Sequence, residues 1–506
     1  MKSGPIRVSL TVIALIAFLS APLQSATRKK KTRKTARKAP VVQAVTPAAQ
    51  GSTLEERLAS LMGSSVVRSS HASLEVVDVE SGRIVAEHDS HTAVAPASNN
   101  KLFTTSAALD LLGQSFEFRT SVSLKGAIDA SGTLHGDVKI TGRGDPTIGG
   151  RFHDGNATAV IEQFADDLKA AGVRTIAGDL ILEYGYFDTE FVHPSWPVNQ
   201  LNNWYEAPIA ALSMQEGTVM VRVTPGRTGG HAVVETEPPS SYMTVENSTS
   251  TRGGRGAFIG RRPGTSVIVV RGDVSPRSGA TQVYVTVPDP LQYFAGVTQE
   301  TFARRGVTVG GQVRLMADAP GDWKTISEHS TPLPVVIYVI NKVSQNQYAE
   351  QLVKTLGAQI RNEGSWAAGT GVVEQWMREK IGVPAAEFDM ADGSGMSRFN
   401  RASANAFTSV LRYMWKQPFR REFVSSMPYS GEPDSRLRRR LNQQPYARQV
   451  YAKTGYIVGV IGLSGYVHAQ SGKIYAFSFL FNAYPSGVWG VYRLQDEMLK
   501  EIVTGG

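Results

Sequence analysis

The 506-residue sequence contains no cysteine. That absence excludes a thiol nucleophile, a disulfide framework and any Cys-ligated metal centre. It also suits a chain that meets an oxidising compartment with nothing to mispair. Long apolar runs are lacking too. The run from Val8 to Leu19 is only 12 residues, short of the roughly 20 that a helix needs to cross a bilayer. It follows Lys2 and Arg7 and precedes the small residues Ala21, Ser25 and Ala26, so residues 1–26 read as a cleavable export signal. A periplasmic protein is expected. The body of the chain also lacks an excess of positive charge. The net charge is +9, yet Lys2, Arg7 and the eight cations of Arg28–Lys38 leave 43 cations against 44 anions elsewhere. No basic face for nucleic acid is expected. Residues 27–52 instead form a solvated basic, Ala/Pro-rich linker, suited to electrostatic contact with anionic cell-envelope surfaces.

The length demands more than one core. Thr53 and Glu56 have capping-box spacing ahead of a helix through Met62. Ser73–Val79 and Arg83–Glu87 flank Ser81-Gly82 as a hairpin, and a helix is expected from Ser98 through Leu112. From Phe116 to Asp318 short alternating runs recur, with one helical stretch near residues 160–171. Helical periodicity returns at Gln347–Ile360 and Val372–Ile381. Gly462–Val467 and Ile474–Phe481 form a second hairpin, and Val488, Val491, Leu494, Met498 and Ile502 mark a last helix. The expected fold class is α/β. Residues 53–115 and 319–506 would join in one antiparallel sheet flanked by helices. Residues 116–318 would be inserted as a β-rich region of two nested domains.

Three short motifs occur in order: Ser98-Asn99-Asn100-Lys101, Ser344-Gln345-Asn346 and Lys453-Thr454-Gly455. Ser and Lys three apart on a helix share a face, so the amine can reach the hydroxyl. A serine hydroxyl is a poor nucleophile until a base takes its proton, and a lysine of lowered pKa can be that base. Desolvation, a second cation such as Lys453 and the helix dipole all act in that direction. Of all the lysines, Lys101 alone has Ser three residues earlier, and only Lys453 opens a Lys-Thr-Gly. Ser-x-Asn occurs three times, but the copy at Ser344 lies between the other motifs and ahead of a helix. Taken singly, each motif has a plain alternative: Ser98 as a helix cap, Lys453 as a surface residue at a strand end. Their order and flanks favour chemistry.

With the stretches AVAPASNNKLFTTSAALDLLG, GRGDPTI, NKVSQNQYAEQLVKTLG, ADGSGMSRFNRAS and YAKTGYIVGVIGLSGY, the set resembles the penicillin-recognising serine peptidases. Within them it is similar to the D-alanyl-D-alanine carboxypeptidase/endopeptidase family of the penicillin-binding protein 4 type. The resemblance implies a penicillin-binding transpeptidase-like domain, peptidoglycan stem peptides as substrate, β-lactams as covalent inhibitors, and neither cofactor nor metal. It implies Ser98 as nucleophile, Lys101 as base, Ser344 as proton relay to the leaving amine, and Lys453 as a source of positive field. Asn346 would hold the substrate backbone, and Lys453 and Thr454 its terminal carboxylate, along the strand through Gly455 and Tyr456. The backbone N–H groups of Ser98 and Tyr456 would form the oxyanion hole. Tyr456 departs from the small residue usual after Lys-Thr-Gly. Asp188 and Arg398 would complement the far end of a diaminopimelate side chain.

Asp392-Gly393-Ser394-Gly395 reads as a turn that shapes the cleft. The two Arg-Gly-Asp triplets and the pair His88 and His91 carry no function in this reading. Alternative functions are a serine β-lactamase, which shares the motifs but not the large insertion, and a non-catalytic cell-wall binding protein. The balance of carboxypeptidase and endopeptidase activity stays open at this point.

Overall fold

The computed structural model describes residues 51–254 and 256–506. The expected signal segment and all but the end of the basic linker lie outside the described residues. Five antiparallel strands form the sheet that carries the motifs: β1 (His71–Asp78), β2 (Ile84–His88), β3 (Val450–Ile457), β4 (Val460–His468) and β5 (Ile474–Asn482), in the order β3-β4-β5-β1-β2. Strands from both ends of the chain therefore meet, β1 beside β5 from His71↔Asn482 to Asp78↔Tyr475. Both expected hairpins are present.

Six helices frame the site: α1 (Leu54–Met62), α2 (Lys101–Leu112), α3 (Asn346–Arg361), α4 (Trp366–Trp376), α5 (Ala404–Trp415) and α6 (Gly487–Gly505). The period-two alternation of β5 sorts them into two layers. Phe477, Phe479 and Phe481 share a core with α1 and α6, whereas Ala476 and Leu480 face the core of α2 and α5. Thr53 and Glu56 close the expected capping box on α1, with bonds of 3.3 and 2.9 Å.

The middle block has its own core, containing Val122, Val138, Phe164, Val221 and Phe294. Around it lie a seven-stranded sheet and two three-stranded sheets. Two expectations need correction here. The strand Lys324–Pro332 pairs with Glu117–Ile128, from Pro332↔Glu117 to Lys324↔Leu124, so the block continues past Asp318. That strand is mostly polar, with Ile326 its one large apolar residue, and so showed no alternation. A second helix, Pro290–Arg304, was also not expected. Asp289 caps it by accepting from Leu291 N and Gln292 N at 2.9 and 3.0 Å, Pro290 starts it, and Leu291, Phe294, Val297 and Phe302 anchor it.

Candidate active site

Ser98 lies in a 3-10 turn, Ala97–Asn100, that leads straight into α2 at Lys101. The helix thus begins later than expected, and neither turn nor helix has a side-chain cap. The capping alternative for Ser98 is excluded. Its hydroxyl instead accepts from Lys101 Nζ at 3.1 Å.

The sheet is shaped to seat this turn. Gly455 on β3 pairs with Gly462 on β4, and Lys453 pairs with Ser464. A Cβ on Gly455 would fall 2.7 Å from Asn99 Oδ1, and one on Gly462 would fall 3.0 Å from Asn99 Cγ. With both side chains missing, Asn99 sinks between the strands and donates to Ser464 Oγ at 2.7 Å. Residues two apart on a strand share a face, so Lys453 rises on the face that Gly455 gives to the turn. From the other flank Gly395, at φ +82°, packs so close to Ala97 that a Cβ would sit 1.9 Å from the Ala97 carbonyl oxygen. Glycine is required there on both counts.

Lys101 is 0% exposed. Its Nζ also donates to Asn346 Oδ1 and to the Ser394 carbonyl, both at 2.7 Å. Asn346 Nδ2 donates to the Tyr205 carbonyl at 2.7 Å, which fixes the orientation of its amide. A neutral amine has two N–H groups and one lone pair. In that form the two short acceptors take the N–H groups, and the 3.1 Å bond runs the other way, the Ser98 hydroxyl donating to the lone pair. Burial pushes Lys101 down to about 7, against the opposing pull of Glu350 and Asp392.

Ser344, at φ +68°, ends one helical turn just before α3. Its hydroxyl accepts from Lys453 Nζ at 2.7 Å, and Lys453 Nζ also donates to the Thr454 carbonyl at 2.9 Å. Lys453 is 1% exposed, and burial followed by the nearby Lys101 and Arg436 holds its amine well below the usual lysine range. Ser344 and Asn346 bond to different lysines, Lys453 and Lys101, so the three motifs converge.

Strand β3 lies at the sheet edge. Its outer edge is covered at first, where Ala452 N donates to the Pro428 carbonyl and Ser430 N to the Val450 carbonyl, at 2.9 and 2.8 Å. N–H groups two apart point the same way, so those of Thr454 and Tyr456 follow on that outer edge. The Tyr456 side chain is 54% exposed.

Residues 54–489 match the D-Ala-D-Ala carboxypeptidase 3 (S13) family. The chain belongs to that family of serine peptidases. It is similar to a D-alanyl-D-alanine carboxypeptidase of Actinomadura sp., with 31% identity over 85% of this chain and 81% of the relative. A solved structure of penicillin binding protein 4 from Haemophilus influenzae aligns with a TM-score of 0.75 at 23% identity, over 89% of this chain and 98% of the other. The same Haemophilus protein complexed with a β-lactam aligns at 0.69 and 22%, over the same shares. The family resemblance and the mixed α/β fold read from the sequence are both borne out.

Other expected site residues of this S13 peptidase have partners of their own. Asp188 Oδ1 accepts from Lys354 Nζ at 2.6 Å and from Glu190 N at 3.2 Å. Lys354 is wholly buried, with its amine 3.8 Å from the centre of the Trp366 ring. Arg398 donates to the Val458 carbonyl at 2.8 Å, which ties its loop to the tip of the β3–β4 hairpin. Sequence reasoning missed Glu350 and Lys354, both buried on α3. Their one signal is spacing, since Glu350 lies four residues after Asn346 and Lys354 four after that, on one helix face.

Among the described residues, no helix is long and apolar enough to cross a membrane.

Proposed function

We propose that this S13 peptidase hydrolyses the D-Ala-D-Ala amide of peptidoglycan stem peptides through an acyl-enzyme on Ser98. The observation that carries the reading is the buried Lys101 amine, held on two acceptors with its third direction on the Ser98 hydroxyl. Ser98 Oγ bonds to the carbonyl carbon of the penultimate D-alanine while its proton passes to Lys101 Nζ. The oxyanion is met by the N–H groups of Ser98 and Tyr456. The C–N bond then breaks as Ser344, backed by Lys453, gives its proton to the leaving amine and takes in exchange the one Lys101 received from Ser98, which leaves Lys101 neutral again for deacylation. Water hydrolyses the ester and regenerates Ser98.

Lys453 and Thr454 receive the terminal carboxylate, whose charge restores the ammonium form of Lys453. The substrate backbone runs along the open edge of β3 past Gly455 and Tyr456, with Asn346 on its other side. Asp188 and Arg398 serve the distal end of the stem peptide from the rim of the cleft. Both a terminal D-alanine and a cross-bridge present the same D-configured amide, so carboxypeptidase and endopeptidase activity are both included. β-lactams acylate the same hydroxyl.

The strand pairing supports a catalytic unit of residues 53–115 plus the segment that resumes after Pro332, with the β-rich block between them inserted. The substrate, together with the apolar run Val8–Leu19, supports a periplasmic location, in which the basic linker contacts anionic envelope surfaces. Incubation with pentapeptide and with cross-linked muropeptides tests the activity. Release of D-alanine or cleavage of the cross-bridge by the wild type but not by Ser98→Ala supports it, and equal release by both overturns it.

A further inference from the structure

The Lys101 amine is governed from behind by two buried carboxylates that act through the backbone. The turn Gly393-Ser394-Gly395 runs between α2 and α3. Its Gly393 carbonyl accepts from Thr104 Oγ1 at 2.8 Å, and its Ser394 carbonyl accepts from Lys101 Nζ at 2.7 Å. Thr104 and Lys101, three apart on α2, thus hold the carbonyl side of the turn. The N–H side faces the opposite way. Gly393 N and Ser394 N donate to the two oxygens of Glu350 at 2.9 and 2.8 Å, and Gly395 N donates to Asp392 Oδ1 at 2.7 Å. Each of the two peptide groups therefore carries an α2 side chain on its oxygen and a carboxylate on its nitrogen.

Both carboxylates are themselves pinned. Glu350 accepts from Trp366 Nε1 at 2.8 Å. Asp392 accepts from Trp196 Nε1, Ser397 N and Asn400 Nδ2 at 2.9, 2.6 and 2.9 Å. Both residues are 0% exposed. Rotating either peptide plane would break buried, charge-assisted hydrogen bonds, the strong kind.

We propose that Glu350 and Asp392 are positioning residues that, through these two peptide groups, aim the Lys101 lone pair at the Ser98 hydroxyl. The inference rests on the reading of Lys101 as base. An anion on a peptide N–H polarises the group and strengthens its carbonyl as an acceptor, so the Ser394 oxygen holds one Lys101 N–H firmly. Asn346, one turn before Glu350 on α3, holds the other. The charged groups facing Lys101 are Glu350 and Asp392, which favour its ammonium, and Lys453 from β3, which opposes it. Burial, followed by the neighbouring Asp392, pushes the Glu350 carboxyl itself up to about 7, so its pull on Lys101 is exerted in full only above that pH. Glu350 also faces Lys354.

Glu350→Gln keeps the shape, removes the charge and turns an amide NH2 toward a donor. We expect acylation by a labelled penicillin to slow at least ~10-fold, since a misplacement of about 1 Å in a reacting group costs on the order of 100-fold. The acid limb of the pH–rate profile should also move to lower pH, because an anion that favoured the ammonium is gone. Asp392→Asn should act in the same direction. A merely structural role lowers thermal stability and leaves that limb in place. If Glu350→Gln does not fold, Thr104→Val frees the same turn from its carbonyl side without changing any charge. Its expected result is a slower rate with an unmoved limb, and an unchanged rate overturns the inference. So does a wild type that is acylated while folded Glu350→Gln matches its rate and its limb. A wild type that no penicillin acylates fails the underlying peptidase reading, and the inference with it.

Discussion

Lys453 and Ser344 lie 109 positions apart in the sequence, yet the Lys453 amine donates to the Ser344 hydroxyl at 2.7 Å. That bond joins the edge strand of the sheet to the segment entering α3, where the proposed mechanism needs a proton for the leaving amine. Ser344→Ala should cut kcat/KM for a D-Ala-D-Ala peptide by ~10²–10⁴-fold, the usual worth of positioned proton transfer. Ser344 is only half-buried, so its thermal unfolding should shift little. D-alanine release and a melting curve on the same preparation check both halves.

The depressed proton affinity of Lys101 gives the reaction a pH signature. The amine is pushed down to about 7 by burial, and only its neutral form has a lone pair for the Ser98 proton. kcat/KM should therefore rise with pH through about 7 and fall away below it as the ammonium forms. Lys101→Arg keeps a cation at every accessible pH, and it should abolish acylation from pH 5 to about 9. A pH–rate profile for penicillin acylation reads out both.

Gly455 is a packing requirement of the nucleophile turn. Its added Cβ would meet Asn99 Oδ1 at 2.7 Å and the Pro96 carbonyl oxygen at 2.8 Å. Gly455→Ala should destabilise the protein by about 1–3 kcal/mol, as overpacking does, and lower activity by displacing Ser98. Gly472, in the β4–β5 turn at φ +89°, has nothing within 4 Å of its added Cβ. Gly472→Ala should cost about 1 kcal/mol of backbone strain while leaving kcat/KM unchanged. Urea unfolding with parallel kinetics separates the two.

How much of this was legible beforehand depends on what kind of signal each residue carries. Ser98, Lys101 and Lys453 stood out because their neighbours repeat a pattern rare in the chain. Thr53, the two hairpins and the last helix were legible through capping and periodicity, which are local. Glu350, Asp392 and Lys354 look like ordinary charges in the sequence. Only the folded chain shows them buried and bonded to backbone N–H groups or to a partner more than a hundred residues away. The strand Lys324–Pro332 was hidden for a related reason. It holds its place by pairing with Glu117–Ile128 rather than by an apolar face of its own.

Asp188 and Lys354 make a further test. Lys354 has no exposed surface, and Asp188 is 37% exposed. Removing the anion strands a buried ammonium, but solvent at Asp188 screens the pair, so Asp188→Asn should cost about 1–2 kcal/mol, less than a fully buried pair would. Lys354→Met in the same chain should restore part of that loss, because the unpaired charge goes with it. Denaturant midpoints for the two single variants and the double variant complete the cycle.

The central claim is that Ser98 is the nucleophile, and the most direct measurement is the site of covalent modification by a labelled penicillin, located by mass spectrometry on the intact protein and its peptides. The account predicts a single adduct on Ser98, absent from Ser98→Ala and from Lys101→Arg. An adduct on Ser344 or Ser394, or none on the folded wild type, would contradict it.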